Sequence, residues 1–359
     1  MTEILLIALF FFAFLIFAEF LGRLAYRLYY GVPFHDRRIA EYPYSRFLQE
    51  MPPPLYCVFK KGFRSPQVNI NRFGLRGKEP APNGAKRRLL VVGESPFFGP
   101  KLRDESRIWA TQLERILARS GHGDWEVING GTPVYASAQH WHFWKEALDR
   151  VNPQIIVVAL GGNDATQMSV LGDNWHPEAH WPFEFLLKLE RKGTWWNSFL
   201  SRFCLYFLLR RAFEGHVPPS FARGEGSLPW EACRQNVMNQ YKNFHDYAQS
   251  KGKRIAFANT FFVFNRQVTA REERCLFSIQ SNYRVSIEHD GPYFFELIDA
   301  VSGNLCPTLG VPYLDLKADF DAYPRRFECW YDLAHWNEKG MTFIAKALYK
   351  RIDQLGWWN

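Results

Sequence analysis

The feature that most constrains the fold is the stretch 88–99, with the sequence RLLVVGESPFFG. Its aliphatic and β-branched residues predict a strand buried on both faces, as in a parallel sheet. Gly93-Glu94-Ser95 follows at once, and Pro96 favours the first turn of a helix, where a missing N–H is no loss. A residue at such a strand-to-helix turn lies at the carboxyl edge of the sheet, where α/β folds bind ligands. Ser95 is therefore either a helix N-cap or a nucleophile.

Three further stretches favour the nucleophile. The predicted strand at 127–129 ends in two glycines, and the one at 155–160 continues into the letters GGND. Near the C-terminus, Asp332 stands three residues before His335, just ahead of a last amphipathic helix. A serine needs an adjacent base to attack a carbonyl, and that base needs a partner that fixes its tautomer. Ser95, His335 and Asp332 are suitable residue types for these three roles.

The blocks that contain Ser95, Gly131, Asn163 and His335, in that order, closely resemble the four signature blocks of the SGNH (GDSL-type) hydrolase family. The stretch 68–77, VNINRFGLRG, is also similar to a lead-in found in membrane-anchored bacterial members. The resemblance runs from about residue 69 to the end of the chain, apart from a middle part that does not match. It implies the SGNH hydrolase fold, a flavodoxin-like, doubly wound parallel sheet of the α/β class.

For the chemistry, the resemblance implies catalysis by Ser95 with His335 as base and Asp332 as its partner. It assigns the oxyanion hole to the backbone N–H groups of Ser95 and Gly131 and to the side-chain amide of Asn163. Preorganised donors of this kind each lower the barrier by ~3–4 kcal/mol in well-studied sites. No metal or organic cofactor is required.

Four positions refine this expectation. Pro96 has no N–H, so it excludes the nucleophile elbow of ordinary α/β-hydrolases, in which the residue after the serine is an oxyanion donor. Glu94 stands where the family usually has aspartate, so a longer carboxylate must fit beside the nucleophile. Val134 stands where many relatives have a second glycine, which predicts a different loop there. Gly131 is assigned from the pattern Asn-x-Gly, with Gly130 as the alternative.

Strand and helix alternate through the rest of the main domain, which predicts a parallel, doubly wound sheet. Further strands are predicted at 255–258 and 311–315, and helices around 139–150 and 339–352.

The N-terminus carries a long apolar run. Every residue from 4 to 17 is apolar, and the apolar character continues to 21 around Glu19. About 18–20 helical residues span a hydrocarbon core at ~1.5 Å per residue, so we predict one transmembrane helix as an anchor at 1–22. A cleaved signal peptide is the competing interpretation, but no Lys or Arg precedes the run and no Ala-x-Ala-like site is present. Glu19 and Arg23 can pair on one helical face.

Two observations disagree about the side of the membrane. Arg23 and Arg27 follow the span, and the positive-inside rule then places the main domain in the cytoplasm. The resemblance favours the periplasm, because anchored family members mostly act on glycans outside the inner membrane, and we adopt that prediction. The six cysteines show no CxxC pair and no zinc-like spacing, so buried thiols are expected.

Residues 23–86 are predicted to form a linker and an arm that packs on the main domain, and 87–359 the hydrolase-like domain. Within the latter, about 166–227 form an insertion without a motif, in which aromatic residues alternate with arginines. A helix buried in the core, a helix at the membrane interface, a lid and a partner surface all fit this composition.

The net charge of +8 could suggest nucleic acid, but no basic run carries nucleic-acid motif chemistry, so none is expected as a partner. We expect a membrane-anchored O-acyl (acetyl) esterase or O-acyltransferase acting on an acylated envelope or exported carbohydrate. Water or a sugar hydroxyl as the final acceptor distinguishes the two. The alternatives are a catalytically degenerate domain serving as a structural subunit of a membrane protein complex, a carbohydrate-binding module and a phospholipid esterase.

Overall fold

The computed structural model describes residues 2–34, 44–102, 104–178, 199–200, 202–214, 229–259, 262–279, 288 and 291–359. The strands are β1 (Leu48–Glu50), β2 (Cys57–Phe59), β3 (Arg87–Gly93), β4 (Trp125–Gly131), β5 (Ile155–Ala159), β6 (Arg254–Ala258) and β7 (Tyr313–Leu314). The helices are α1 (Thr2–Tyr30), α2 (Tyr44–Phe47), α3 (Ser95–Phe98), α4 (Trp109–Arg119), α5 (Ser137–Val151), α6 (Gly162–Leu171), α7 (Cys204–Glu214), α8 (Trp230–Ser250), α9 (Ala270–Ile279), α10 (Gly291–Asp299), α11 (Cys306–Leu309), α12 (Leu316–Asp321) and α13 (Glu338–Gln354).

The central sheet has five parallel strands in the order β4-β3-β5-β6-β7. The first strand of this sheet along the chain, β3, therefore lies inside it, between the second and the third. This order is the flavodoxin-like variant of the doubly wound fold, so the predicted fold class is confirmed. Because β3 and β5 leave the sheet side by side, the turns that follow them face the same crevice at its carboxyl edge.

Alternate residues of the buried strands contact different helix layers. Leu89 and Val91 pack into one apolar cluster, which includes residues of α4 and α13. Leu90 and Val92 pack into the other, which includes residues of α5 and α8. The sheet is thus covered on both faces, which is why its strands are continuous apolar runs in the sequence.

The predicted arm does pack on the main domain. Its β1 and β2 pair antiparallel, and Phe47 and Phe59 are buried. The ring of Phe59 stacks on that of Phe98 in α3, with centroids 5.0 Å apart and planes inclined by 14°. The arm therefore contacts the short helix that begins at Ser95.

The N-terminal helix α1 extends past the predicted end of the anchor at 22, to Tyr30. Its apolar side chains between 4 and 17 are predominantly exposed, and its length and composition would allow it to cross a membrane. Tyr26 and Tyr30, by contrast, are buried against α7 and α9 in a separate apolar cluster. The helix thus consists of an exposed apolar part and a part that packs on the domain.

The predicted insertion is described only in part. Helix α6 continues to Leu171 and a 3₁₀ turn follows at Gly172–Asn174, while α7 provides a further described segment. The pair Trp195-Trp196 lies outside the described residues. All six cysteines are buried as free thiols, as expected.

Candidate active site

The three predicted catalytic side chains form a hydrogen-bonded chain. Ser95 Oγ lies 2.9 Å from Nε2 of His335. The other ring nitrogen, Nδ1, lies 2.9 Å from each carboxylate oxygen of Asp332. This geometry lets His335 accept the serine proton at Nε2 while Asp332 holds the Nδ1–H and stabilises the imidazolium that forms.

Local hydrogen bonds shape the loop that carries Asp332 and His335. One carboxylate oxygen of Asp332 accepts from the backbone N–H groups of Ala334 at 3.0 Å and His335 at 2.8 Å. The Tyr331 N–H donates to the carbonyl of His335 at 2.8 Å, which closes the loop. An aspartate three residues before the histidine can therefore fold the turn and orient the imidazole with the same carboxylate.

Lys101 is a member of the site that sequence reasoning did not identify. Its ammonium forms a short ion pair with the second carboxylate oxygen of Asp332. Although burial by itself raises the pKa of Asp332, the charges and hydrogen bonds of His335 and Lys101 hold that pKa well below its usual range. Asp332 therefore stays ionised while it supports the histidine.

Arg76, in the lead-in stretch of the arm, fixes the segment on which Lys101 lies. Its buried guanidinium donates to the carbonyls of Phe98 at 3.1 Å, Gly99 at 2.6 Å and Leu102 at 3.1 Å. It also pairs with Glu105 at 2.8 Å. The structure buries this arginine beneath the turn that follows α3.

Glu94, the residue that departs from the family pattern, is buried directly beside the nucleophile. Its carboxylate accepts from the backbone N–H groups of Gly161 at 2.9 Å and Asn163 at 3.0 Å, at the start of α6. Burial and the nearby charge of Asp164 raise the pKa of Glu94 to about 8, although the backbone hydrogen bonds act in the opposite direction. The longer carboxylate thus fits by capping a helix, and the triad distances are intact.

A second carboxylate near Asn163 belongs to Asp164. It is fully buried on α6 and accepts from the N–H of Ser137 at 2.9 Å and from its hydroxyl at 2.7 Å, at the start of α5. Burial raises the pKa of Asp164 to about 6. Glu94 and Asp164 together therefore hold the start of α6, which carries Asn163, against two neighbouring segments.

Gly131, a predicted oxyanion donor, has a hydrogen-bond partner of its own in the structure, and its role stays a prediction. Its N–H donates to the side-chain carbonyl of Asn129 at 2.9 Å. A Cβ at this position would lie 2.2 Å from the backbone nitrogen of Phe98, so glycine is required here by the close approach of α3. Gly130 is equally constrained, since a Cβ there would lie 2.6 Å from the carbonyl of Val91. Both glycines thus have a packing reason.

The loop after Gly131 has an unusual backbone conformation at Val134. Val134 has a φ of 66°, a left-handed conformation that is strained for a β-branched residue and natural for the glycine of many relatives. The next residue, Tyr135, accepts at its carbonyl from the side-chain amide of Asn163 at 2.8 Å. Among the described residues, the backbone N–H groups of Ser95 and Val134 have no hydrogen-bond partner. The expected difference in this loop therefore lies in the side chain, because the backbone adopts a glycine-like conformation.

The two histidines of α5 differ from each other in burial. His140 is fully buried, and burial lowers its pKa to about 3, whereas His142 is partly exposed. Neither is joined to the triad by any hydrogen bond of the described residues. Within the same part of the chain, no three His, Cys, Asp or Glu side chains cluster so as to hold a metal ion.

Solved structures similar to this one include several esterases and lipases. A lipase/acylhydrolase from Enterococcus faecalis is 14% identical, with 75% of this chain and 96% of that chain covered and a TM-score of 0.45. An acetyl xylan esterase is 12% identical, covering 73% of this chain and 98% of the other with a TM-score of 0.41. A GDSL-like lipase from Bacteroides thetaiotaomicron is 9% identical, with 77% and 92% covered and a TM-score of 0.37. No protein-family model and no curated protein matches the chain.

Proposed function

We propose that this protein is a serine hydrolase of SGNH type that cleaves esters through an acyl-enzyme on Ser95. The observation that carries this proposal is the continuous hydrogen-bonded chain from Ser95 Oγ through His335 to Asp332. As Oγ attacks the ester carbonyl, its proton passes to Nε2 of His335. The same proton then protonates the departing alkoxide, which leaves as the alcohol, and the acyl group remains on Ser95.

The second half of the reaction repeats the same proton transfers with a new acceptor. A water molecule or a second hydroxyl loses its proton to His335 while its oxygen attacks the acyl carbonyl. The tetrahedral intermediate collapses, and Ser95 Oγ recovers its proton. Water as the acceptor makes the protein an esterase, and a sugar hydroxyl makes it an O-acyltransferase.

For the oxyanion we propose three donors: the backbone N–H of Ser95, the side-chain amide of Asn163 and the backbone N–H of Val134. The N–H groups of Ser95 and Val134 have no intramolecular partner among the described residues. The side-chain amide of Asn163 donates to the carbonyl of Tyr135, the residue after Val134. Gly131, the donor assigned from the family pattern, has its N–H committed to Asn129. Donors that are already positioned before the reaction stabilise the oxyanion without reorganisation.

The proposed substrate is an O-acylated, in particular O-acetylated, envelope or exported carbohydrate, and the proposed location of the domain is the periplasmic face of the inner membrane. Both rest on the resemblance described above. Retention of α1 as an anchor is supported by its packing, because Tyr26 and Tyr30 complete an apolar cluster with α7 and α9. A cleaved leader would leave that cluster without these two side chains.

The test of the chemistry is labelling of the purified full chain with a fluorophosphonate probe. A covalent adduct is expected on the wild type and on Ser120→Ala, an exposed serine at the end of α4. The adduct should be absent from Ser95→Ala and from His335→Ala. A folded wild-type protein that forms no adduct would contradict the proposal and favour a structural subunit of a membrane complex.

A further inference from the structure

A carboxylate inside the apolar N-terminal helix marks the point where the domain joins it. Glu19 accepts from the backbone N–H groups of Cys204 at 2.8 Å and Leu205 at 2.9 Å, the first residues of α7. Arg23 pairs with Glu19 at 2.7 Å and donates to the carbonyl of Arg202 at 3.0 Å. Helix α7 thus begins against α1 where the apolar run of α1 ends, and Glu19 offsets the partial positive charge of its N-terminus.

The contact between α1 and the domain continues beyond this point. The rings of Tyr26 and Phe207 lie 5.7 Å apart, and those of Phe34 and Phe207 lie 5.6 Å apart. The hydroxyl of Tyr26 donates to the carbonyl of Ser278 at 3.3 Å, and the Cys275 thiol donates to the carbonyl of Tyr30. Buried contacts of this kind on two helices hold α7 and α9 in a set position relative to α1, rather than on a free tether.

Among the described residues, the exposed large apolar side chains are confined to this region. Apart from those of α1, the large apolar side chains that the described residues expose are Phe199, Phe203 and Leu209, at 42%, 39% and 50%. All three lie on α7 or just before it, next to the end of the apolar run of α1. Exposed apolar surface that is gathered in one place marks an interaction site.

Cationic groups surround the same surface. The guanidinium of Arg202 lies over the ring of Phe199, 5.6 Å from its centroid, and Arg23 is half-exposed beside it. Apolar side chains flanked by arginines match the boundary between acyl chains and phosphate headgroups, where the apolar groups enter the chains and the cations meet the phosphates. A bilayer that α1 spans necessarily reaches the end of the apolar run of α1, where these exposed side chains lie. A surface for a protein partner would have no reason to adjoin α1.

We infer that Phe199, Phe203 and Leu209 lie in the headgroup and acyl boundary of the same bilayer that α1 spans, so that the catalytic domain is docked on the membrane in one orientation. This inference rests on the proposed anchoring. The chain that leads to Asp332 also contacts the part of α1 that packs on the domain, because Phe327 packs against the cluster of Tyr26 and Tyr30.

The depth of single labelled residues in the bilayer tests this arrangement. The full chain, carrying Phe203→Cys or Leu209→Cys with an environment-sensitive fluorophore, is reconstituted in phosphatidylcholine and phosphatidylglycerol vesicles. Labels at Phe12→Cys in α1 and at Lys242→Cys, exposed on α8 at the other face of the sheet, are the controls. The native cysteines are buried, so an unmodified chain measures the background labelling.

The labels at 203 and 209 should be quenched by a lipid quencher near the headgroup, as expected for a depth of about 5–10 Å. The label at 12 should be quenched by one near the bilayer centre, and the label at 242 by neither. If the labels at 203 and 209 were not quenched by either quencher, as expected for the label at 242, while the label at 12 was quenched, the docking would be overturned and the anchor would stand. An unquenched label at 12 would overturn the anchor, and neither result touches the fluorophosphonate test of Ser95.

Discussion

The polar groups on the two sides of the active site differ in whether they have hydrogen-bond partners. On the catalytic side, both ring nitrogens of His335 and both carboxylate oxygens of Asp332 have partners, and Lys101 adds a further charge. On the side of the proposed oxyanion hole, the N–H groups of Ser95 and Val134 have no partner within the described residues. Groups with a lasting charge must be paired to be held in place, whereas donors for a transient charge must be left open for it.

The largest loss of activity is expected when the base on the catalytic side, His335, is removed. We expect His335→Ala to lower kcat for a chromogenic acetyl ester by on the order of 10⁴-fold or more, because Ser95 then has no proton acceptor. His142→Ala, on the partly exposed face of α5, is the matched control and should leave kcat unchanged. A small loss in His335→Ala would mean that another group activates the serine.

The oxyanion side should show a smaller loss. Asn163→Ala removes one proposed donor and is expected to lower kcat by roughly 10²–10³-fold with little change in KM, since the lost bond forms mainly in the transition state. Asn239→Ala, exposed on α8, serves for comparison. If KM rose instead while kcat held, Asn163 would bind the ground state and the proposed hole would need another member.

The charge of Lys101, which pairs with Asp332, can be tested separately from the base. In Lys101→Met the carboxylate no longer shares its charge with an ammonium and stabilises the imidazolium of His335 more strongly. The acid limb of the kcat/KM profile should therefore move to higher pH. Lys339→Met, a half-exposed lysine at the start of α13, should not move it. Identical profiles for wild type and Lys101→Met would remove Lys101 from the catalytic unit.

The smallest expected effect is on stability, beneath the oxyanion side. Because the folded-state pKa of Glu94 is raised to about 8, the folded protein binds a proton that the unfolded chain releases at lower pH. Its stabilising contribution is complete below the unfolded-state pKa and is lost as the pH rises through about 8. Tm should therefore fall more steeply between about pH 5 and pH 8 in the wild type than in the permanently neutral Glu94→Gln.

The control for this pH dependence is Glu231→Gln, an exposed glutamate paired with Arg234. Its Tm should follow that of the wild type at every pH. Parallel Tm curves for the wild type and Glu94→Gln would show that the buried carboxyl does not take up a proton on folding.

Local sequence patterns predicted the framework well. Apolar runs ending in Gly-rich turns located β3, β4 and β5, and strand–helix alternation predicted their parallel arrangement. The spacing of Asp332 and His335 anticipated a turn that a single carboxylate both folds and orients. These features depend on residues that are close together in the chain, so the order of side chains is enough to indicate them.

Contacts between distant segments decided the rest. Lys101 pairs with Asp332, although more than half of the chain separates them. Arg76 of the arm donates to the carbonyl of Phe98 in the main domain. No local sequence pattern predicts either contact. The requirement for glycine at position 131 likewise comes from a contact with another segment, the backbone of α3 at Phe98.

By itself, the sequence determined that Ser95 stands at a strand-to-helix turn, that His335 follows Asp332 at a suitable spacing and that an apolar helix begins the chain. Only the tertiary structure decided which backbone N–H groups of the described residues remain without a partner and that Glu19 and Tyr26 join that helix to the domain. The physical reason is that periodicity and turn chemistry act between near neighbours in the chain. Hydrogen-bond competition and burial are settled only when remote segments pack together.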